Sequence, residues 1–271
     1  MASSLPVPKR VPVPTNGIVL IHVDFLLTGI VMTFIGPMLP ILSARWSLTD
    51  ARSGSLIFFQ FFSSMLGMLL SGVLVQRVGY RTTLIAGAVL MALGMALLAS
   101  GPWLLGIVAV CILGIGYGLT TPAGNLRTAE INPARSASAL NVINAVWGIG
   151  AMSSPFLVAV AQRAHRPAYF LYGTAAALVV LLLALLLTRF VPDTHAHVES
   201  PLGDKNVWKD SVLPLICLLF FIYVGTETSF GAWIATYARR VDSQAHAFAT
   251  LTPSFYWGAL LLGRALAPII L

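Results

Sequence analysis

Three ionisable residues interrupt long apolar stretches of this sequence. Asp24, Glu227 and Arg264 each stand among residues that carry almost no other charge. A charge at the centre of a lipid bilayer costs about 2.5–3.5 kcal/mol, so such residues normally face the interior of a helical bundle or a cavity. A carboxylate that alternates between a buried position and one near a cation can take up and release a proton. We therefore predict that Glu227 binds a solute or a proton, that Asp24 is the second candidate, and that Arg264 is a partner of one of them.

The alternative for these charges is structural. A buried ion pair between two helices would explain Glu227 and Arg264 without any binding role. Asp24 lies close to the predicted start of its helix, where an acid also interacts favourably with the helix dipole.

Polar and aromatic side chains at helical spacing extend the candidate site. Residues three or four apart share one face of a helix. Amide groups donate and accept hydrogen bonds, and an aromatic ring can stack on the apolar face of a sugar. The alternative is ordinary hydrogen bonding between helices, which contributes only about 0.6 kcal/mol on average. The residues are Asn141, Asn144 and Trp147 on one face, Tyr223, Glu227, Phe230, Trp233 and Tyr237 on a second, with Gln60 and Asn125 able to join them.

These residues must be positioned by membrane-spanning helices, because the chain contains eight apolar stretches of sufficient length. About 20 apolar helical residues cross the hydrocarbon core of a bilayer. Small residues four apart, as at Gly67 and Ser71 or Gly150 and Ser154, predict close packing between helices. The predicted spans are 17–42, 53–76, 82–100, 103–127, 136–161, 167–189, 211–238 and 247–271.

Composition excludes several other classes. The 271 residues are 58% hydrophobic and 9% charged, whereas a soluble domain carries about 25% charged residues. The net charge of +7 comes from basic residues scattered over short loops, which does not indicate a nucleic-acid partner. Cys111, Cys217 and the histidines lack the spacing of metal ligands, so no metal or cofactor is expected. Neither a nucleophile–base pair nor paired catalytic carboxylates are visible, so we do not expect an enzyme. The expected partners are the lipid bilayer and a small-molecule solute.

A polar segment divides the chain. Residues 191–210 carry prolines, histidines and four acids, and they separate a six-helix unit, residues 1–190, from residues 211–271. Lys and Arg are more frequent on the side of the membrane that holds the N-terminus, and such residues concentrate in cytoplasmic loops. We therefore predict a multi-pass protein of the cell membrane with a cytoplasmic N-terminus.

An offset of 196 residues relates the last two predicted helices to the first two. It places Phe25 on Phe221 and Gly29 on Gly225, and the same offset places Gly67 on Gly263. Chance matching in a chain rich in Phe and Gly is the alternative. A true repeat would be parallel, with six helices per copy, and carriers built in this way bind solute between the two halves. The second copy would contain only two helices, so we expect a truncated chain.

The loop between predicted helices 2 and 3 resembles a known signature. Gly72, Leu74, Arg77, Gly79 and Arg81 match the pattern Gly-x-Leu-x-Asp-Arg-x-Gly-Arg-Arg of the major facilitator superfamily. We expect Gly72 to permit a close helix approach, Gly79 a tight turn, and the arginines to hold the loop at the cytoplasmic surface. An ordinary basic turn is the alternative. The departures are Gln76 and Tyr80, and the missing acid removes a partner for the arginines.

Two further regions resemble the fucose:proton symporter branch of that superfamily. They are residues 114–150, with Asn125, Asn141 and Asn144, and residues 221–237, with Glu227. The resemblance implies an all-α membrane protein comprising the first eight of twelve helices, which carries a sugar-like solute by alternating access. Thr121 stands where that symporter has an acid, so its proton-coupling role does not carry over and coupling is left open. The alternatives are an efflux carrier, suggested by residues 150–155, and a truncated membrane protein that does not transport.

Overall fold

The computed structural model is helical throughout the part of the chain that it describes, which is residues 15–188, 212–241 and 246–270. The predicted linker, 191–210, lies outside these residues. A 3₁₀ turn, Pro133–Arg135, precedes α5. The helices are α1 (Thr15–Thr33), α2 (Ile35–Trp46), α3 (Asp50–Ser100), α4 (Trp103–Ile131), α5 (Ser136–Arg163), α6 (Ala168–Leu187), α7 (Val212–Val241) and α8 (His246–Ile270).

The predicted spans are divided differently between these helices. The first, 17–42, is a bent pair, because α1 and α2 meet at Phe34 at an angle of 43°. In contrast, α3 contains both the second and the third spans. Its 51 residues would extend about 76 Å as one straight helix, more than twice the thickness of the hydrocarbon core. Within the described residues, five helices are long and apolar enough to cross a membrane, or six if the bent pair is one span.

A single glycine folds α3 back on itself. Gly79 has φ 81° and ψ 169°, and the residues on either side of it are helical. This is the tight turn that the sequence predicts at Gly79. A side chain at positive φ is disfavoured by contact between its Cβ and the backbone, so glycine is the residue that fits.

We expect Gly79→Ala to lower the free energy of unfolding by about 1–3 kcal/mol, the cost of holding an L-residue in a backbone region that is essentially restricted to glycine. Thermal unfolding of the purified protein in detergent would measure the loss. Gly72→Ala is the matched control, because Gly72 lies in the same helix and a Cβ at this position would have nothing within 4 Å. Equal midpoints for the two variants would show that the backbone at Gly79 is not restrained.

The helices run alternately between two ends of the molecule. We call the end where α1 begins the lower end, and the end that holds the turn between α2 and α3, residues 46–50, the upper end. Gly79 and the turn between α4 and α5 lie at the lower end, whereas the turn after α5 and the last residues of α7 lie at the upper end.

Arginine side chains satisfy the free carbonyl groups where two helices end. At the upper end, Arg45 donates to the carbonyl oxygens of Ala99 (3.0 Å) and Gly101 (3.2 Å), where α3 finishes. At the lower end, Arg81 donates to the carbonyl oxygens of Leu185 (3.0 Å) and Leu186 (2.6 Å) at the end of α6. The last four carbonyl groups of a helix lack partners within that helix. Both arginines therefore tie a turn to a distant helix end.

Small residues bring the helices into backbone contact, as their spacing predicts. A Cβ on Gly67 would lie 3.0 Å from the Cα of Gly118, and the hydroxyl of Ser71 donates to the carbonyl oxygen of Leu119 at 2.7 Å. These contacts join the part of α3 before Gly79 to α4. The packing interpretation of these small residues is confirmed.

The middle of α5 is packed between α1 and α8. On one side, Thr33 donates to the carbonyl oxygen of Ala151 and Ser154 to that of Ile30, each at 3.3 Å. On the other side, a Cβ on Gly148 would lie 2.9 Å from Leu261, and one on Gly258 would lie 3.3 Å from the sulfur of Met152. Residues 147–154 of α5 thus contact both halves of the chain.

The two halves also meet at a pair of counterpart positions. A Cβ built on Gly36 would overlap the carbonyl oxygen of Gly231 and lie 3.3 Å from the Cα of Ala232. The offset of 196 pairs position 36 with position 232. A contact between equivalent positions is what a two-fold axis between two copies produces. The proposed repeat therefore has a structural counterpart at this point.

Candidate functional site

Asp24 lies in the interior of the six-helix unit. Its side chain is 0% exposed, and neither carboxylate oxygen has a hydrogen-bond partner among the described residues. Thr28, one turn further along α1, is also buried and donates to the carbonyl oxygen of Phe25 at 2.9 Å. A charged carboxylate in such surroundings is far more costly than a neutral one. Asp24 is therefore an unpartnered acid in the bundle interior, which keeps it a candidate for binding a proton.

The face of α1 that carries Asp24 is turned away from α5. Leu26, whose carbonyl packs on Gly150 of α5, is about 200° around the helix from Asp24. Val31 shares the face of Asp24, and its carbonyl oxygen accepts a hydrogen bond from the buried amide of Gln60 at 3.3 Å. Gln60 thus makes the interhelical hydrogen bond that was the alternative to a solute role.

A second group of polar side chains lies between the two halves. The phenol of Tyr117 interacts with the side chains of Thr121 and Trp147 and is within electrostatic range of Glu227. These four residues come from α4, α5 and α7, and each is only partly buried. The sequence predicted Trp147 and Glu227 but not Tyr117. The available signal for Tyr117 was its position four residues before Thr121, which places both side chains on one face of α4.

Aromatic side chains of α8 complete this group. Tyr256 donates to the backbone carbonyl of Glu227 at 3.0 Å and stacks on Phe230, with centroids 6.3 Å apart. Trp257 meets Trp147 edge to face, with centroids 5.8 Å apart and planes at 82°. We refer to Tyr117, Trp147, Glu227, Tyr256 and Trp257 as the inter-half cluster. Tyr256 and Trp257 were not predicted from the sequence.

Two groups of this region lack the partners that buried polar atoms normally have. The indole nitrogens of Trp147 and Trp257 are buried, and neither makes a hydrogen bond of normal geometry within the described residues. The amide oxygen of Asn125 is also buried and has no hydrogen-bond partner within the described residues. Its neighbour Gly124 packs on the ring of Phe25. An unpartnered buried group costs about 1–3 kcal/mol, which a bound molecule with matching groups would offset.

The other predicted residues lie elsewhere. Asn141 and Asn144 are exposed on the lower half of α5, and the Asn144 amide bonds to its own helix at Leu140 (2.8 Å). Tyr223 is exposed, and Trp233 packs near Gly54 at the upper end. The side chain of Arg264 is outside the described residues. Helical spacing predicted one shared face of α7, but that face contacts α8 at Glu227 and Phe230 and α3 at Trp233.

The predicted loop motif contacts α4 at the lower end through a residue that departs from the motif. Tyr80, which departs from the motif, donates a hydrogen bond to Glu130 of α4. Arg127 lies 3.5 Å from the same carboxylate and over the Tyr80 ring. Arg77 is exposed, and Gly72 has no neighbour among the described residues, so the close approach expected at Gly72 is not present there. Glu130 thus joins the loop to α4 through Tyr80, whereas Arg81 of the motif bonds to the end of α6.

The halves make further contacts toward the upper end. Asp50 and Arg240 form an exposed ion pair, and Gln162 accepts a hydrogen bond from Thr250 at 2.8 Å. By contrast, Leu219 and Phe221 in the lower half of α7 are exposed. The upper end is therefore closed between the halves as far as the structure describes them.

Two features define the class of this molecule. Its helices are apolar enough to cross a bilayer, and polar side chains gather inside one bundle and between two. It is a multi-pass α-helical membrane protein. The family model for the Major Facilitator Superfamily matches residues 25–271, and the chain belongs to that family.

Curated relatives extend this assignment. The chain is 24% identical over 257 residues to the glucose/mannose transporter of Bacillus subtilis, which covers 89% of the chain and 63% of that protein. It is also 24% identical over 259 residues to a glucose/galactose transporter of Brucella abortus, with the same coverage. The chain thus spans slightly less than two thirds of the length of these relatives.

Solved structures show the same fold. The crystal structure of a D-xylose-proton symporter matches with a TM-score of 0.68 at 16% identity, over 94% of this chain and 68% of that one. A partially occluded, inward-open form of the xylose transporter from E. coli matches with a TM-score of 0.57 at 15% identity, over 94% and 61%.

Proposed function

We propose that this protein is a secondary transporter that carries a sugar across the cell membrane by alternating access, coupled to protons. The observation that supports this most is the separation of two sites. Asp24 lies inside one bundle, without a partner in the described residues, whereas the inter-half cluster joins α4 and α5 to α7 and α8. A solute held between the halves can be exposed to either side when they move.

The relatives support a sugar as the solute. The glucose/mannose and glucose/galactose transporters match 89% of the chain. The cluster combines aromatic rings, a carboxylate and unpartnered donors, which suits a molecule with an apolar face and several hydroxyl groups. With a cytoplasmic N-terminus, the upper end faces outward and the form described here is closed to the outside.

Uptake measurements test this proposal. The protein, expressed from its native reading frame in a bacterial strain that lacks hexose uptake, should accumulate radiolabelled D-glucose, D-mannose, D-galactose or D-xylose. An uncoupler that collapses the proton gradient should abolish accumulation. If no sugar enters and tolerance to toxic compounds rises instead, the protein is an efflux carrier. If neither changes, it does not transport.

We expect Glu227→Gln to raise the KM for the transported sugar about 10- to 100-fold, because a hydrogen bond to a charged group contributes about 1.5–3 kcal/mol. The pH profile of uptake should stay as in the wild type, since we assign coupling to Asp24. Thr226→Ala is the control, because the neighbouring Thr226 hydroxyl bonds only to its own helix at Ile222 (2.8 Å). A flattened pH profile in Glu227→Gln would assign coupling to Glu227 instead.

A further inference from the structure

The turn between α5 and α6 concentrates basic side chains at the upper end. Arg163, His165 and Arg166 are all exposed, and none of them forms an ion pair with a described residue. No acidic residue occurs anywhere between positions 131 and 192. The exposed acid described at this end, Asp50, pairs with Arg240 instead. Two guanidinium groups three residues apart are therefore left without a counter-charge among the described residues.

The turn itself is well ordered by hydrogen bonds. The backbone N–H of Arg166 donates to the carbonyl oxygen of Ala161 at 3.0 Å, and that of Tyr169 donates to the carbonyl oxygen of Arg166 at 2.9 Å. The guanidinium of Arg166 lies over the Tyr169 ring, 5.5 Å from its centroid. A guanidinium stacked on an aromatic face keeps its N–H edge available for oxyanions. Tyrosine is also typical of the level at which lipid headgroups lie.

Exposed apolar residues continue from this turn along α5. Phe156 and Val160 are exposed, and they stand seven and three residues before Arg163. Residues at these spacings share one face of a helix. The exposed face of α5 is thus hydrocarbon toward the middle of the membrane and ends in a cation.

The exposed face of α6 has the same arrangement. Tyr169, Tyr172, Val180 and Leu183 are exposed and follow one another at helical spacing. This face begins beside Arg166, which contacts its first aromatic ring. Two apolar faces therefore meet at a single basic turn, which is the distribution of charge and hydrocarbon that a phospholipid would complement.

We propose that the turn between α5 and α6 binds an anionic phospholipid, with its phosphate at Arg163 and Arg166 and its acyl chains along the exposed faces of the two helices. A lipid fits better than a free anion because the apolar faces start directly beside the cations. A zwitterionic headgroup fits less well, because its own cation would be repelled by the arginines. The site is separate from the inter-half cluster and does not depend on the identity of the solute.

Native mass spectrometry of the detergent-purified chain, titrated with palmitoyl-oleoyl phosphatidylglycerol or the matching phosphatidylcholine, tests this proposal. The first phosphatidylglycerol should bind about 10- to 30-fold more tightly than the first phosphatidylcholine, because each arginine near an anionic headgroup contributes a roughly 5-fold gain. Arg163→Gln and Arg166→Gln should each weaken phosphatidylglycerol binding about 5-fold. Neither variant should change the binding of phosphatidylcholine.

Arg52→Gln is the matched control. Arg52 is another exposed arginine of the upper end, in the first turn of α3 rather than beside α6. Its removal lowers the net charge of the protein by the same amount. The affinity for phosphatidylglycerol should nevertheless stay at the wild-type value.

Three results would overturn the proposal. Equal affinities of the wild type for the two lipids would show that the headgroup charge is not recognised. An equal loss in Arg52→Gln and in the Arg163 and Arg166 variants would show a general effect of protein charge without a site. Full displacement of phosphatidylglycerol by an equal concentration of glycerol 3-phosphate would show that the turn binds a free anion and that the apolar faces add nothing.

Discussion

Replacing Asp24 with asparagine should abolish concentrative uptake of solute while leaving exchange of solute across the membrane largely intact. The carboxyl group is fully buried and lacks a hydrogen-bond partner in the described residues. Its charge would therefore be tolerated only in a conformation that brings water or a cation to it, which links protonation to conformation. Asparagine mimics the neutral acid permanently. The protein should still change conformation, but no proton should be carried.

Counterflow and uptake measured on the same proteoliposomes would separate the two functions. Asp24→Asn should reduce proton-driven accumulation to the background of protein-free liposomes and retain most of the counterflow rate. Asp50→Asn is the matched control, because Asp50 is an exposed acid at the upper end whose pair with Arg240 adds little stability. Accumulation by Asp24→Asn at the wild-type level would show that the proton site lies elsewhere.

Substituting Gly36 by valine should stop transport without unfolding the protein. A Cβ at this position overlaps the carbonyl oxygen of Gly231 in the other half, and backbone cannot move aside as a side chain can. Overpacking of this kind costs about 1–3 kcal/mol. If alternating access opens the upper end as proposed, the contact is broken there, so the cost falls on the closed conformation and shifts the population by roughly 5- to 150-fold.

Cysteine labelling would detect this shift. With Cys111 and Cys217 replaced by serine, Gly54→Cys provides a reporter that faces Trp233 across the upper end at 3.6 Å. Its reaction with a polar maleimide should be faster in Gly36→Val. Gly173→Val is the control, since nothing lies within 4 Å of a Cβ at Gly173 in α6. Unchanged labelling and transport in Gly36→Val would show that the closed upper end is not part of the cycle.

The sequence predicted the fold well because a helix needs about 20 apolar residues to cross the hydrocarbon core of the bilayer. Apolar stretches marked the positions of the described helices, and the glycine of the loop motif marked the turn at Gly79. It did not predict the break at Phe34, although Pro37 supplies a signal, because a proline cannot donate a hydrogen bond to the carbonyl four residues earlier, at Thr33.

The candidate site was predicted less completely, for a different reason. Charged residues in apolar stretches are visible in a sequence, so Asp24 and Glu227 could be proposed from it. Trp257 resembles any other apolar residue of α8, and only its unpartnered nitrogen and its contact with Trp147 distinguish it. Gln60 and Trp233 were proposed from residue type alone, and the structure gives them other contacts. Their types suited a site, but Gln60 bonds to the backbone of Val31 and Trp233 packs at the upper end.

The position of α5 has a consequence for energy conversion. Residues 147–154 contact α1 through Ala151 and Ser154, and they contact α8 through Gly148 and Met152. Helix α1, which bears Asp24, and helix α8, which bears Trp257, thus contact the same two turns of α5 from opposite sides. Reciprocity then requires that if sugar binding alters the proton affinity of Asp24, protonation alters sugar affinity by the same factor. If Asp24 and the inter-half cluster act as proposed, the contacts of α5 with α1 and α8 would couple the binding of the proton to the binding of the solute.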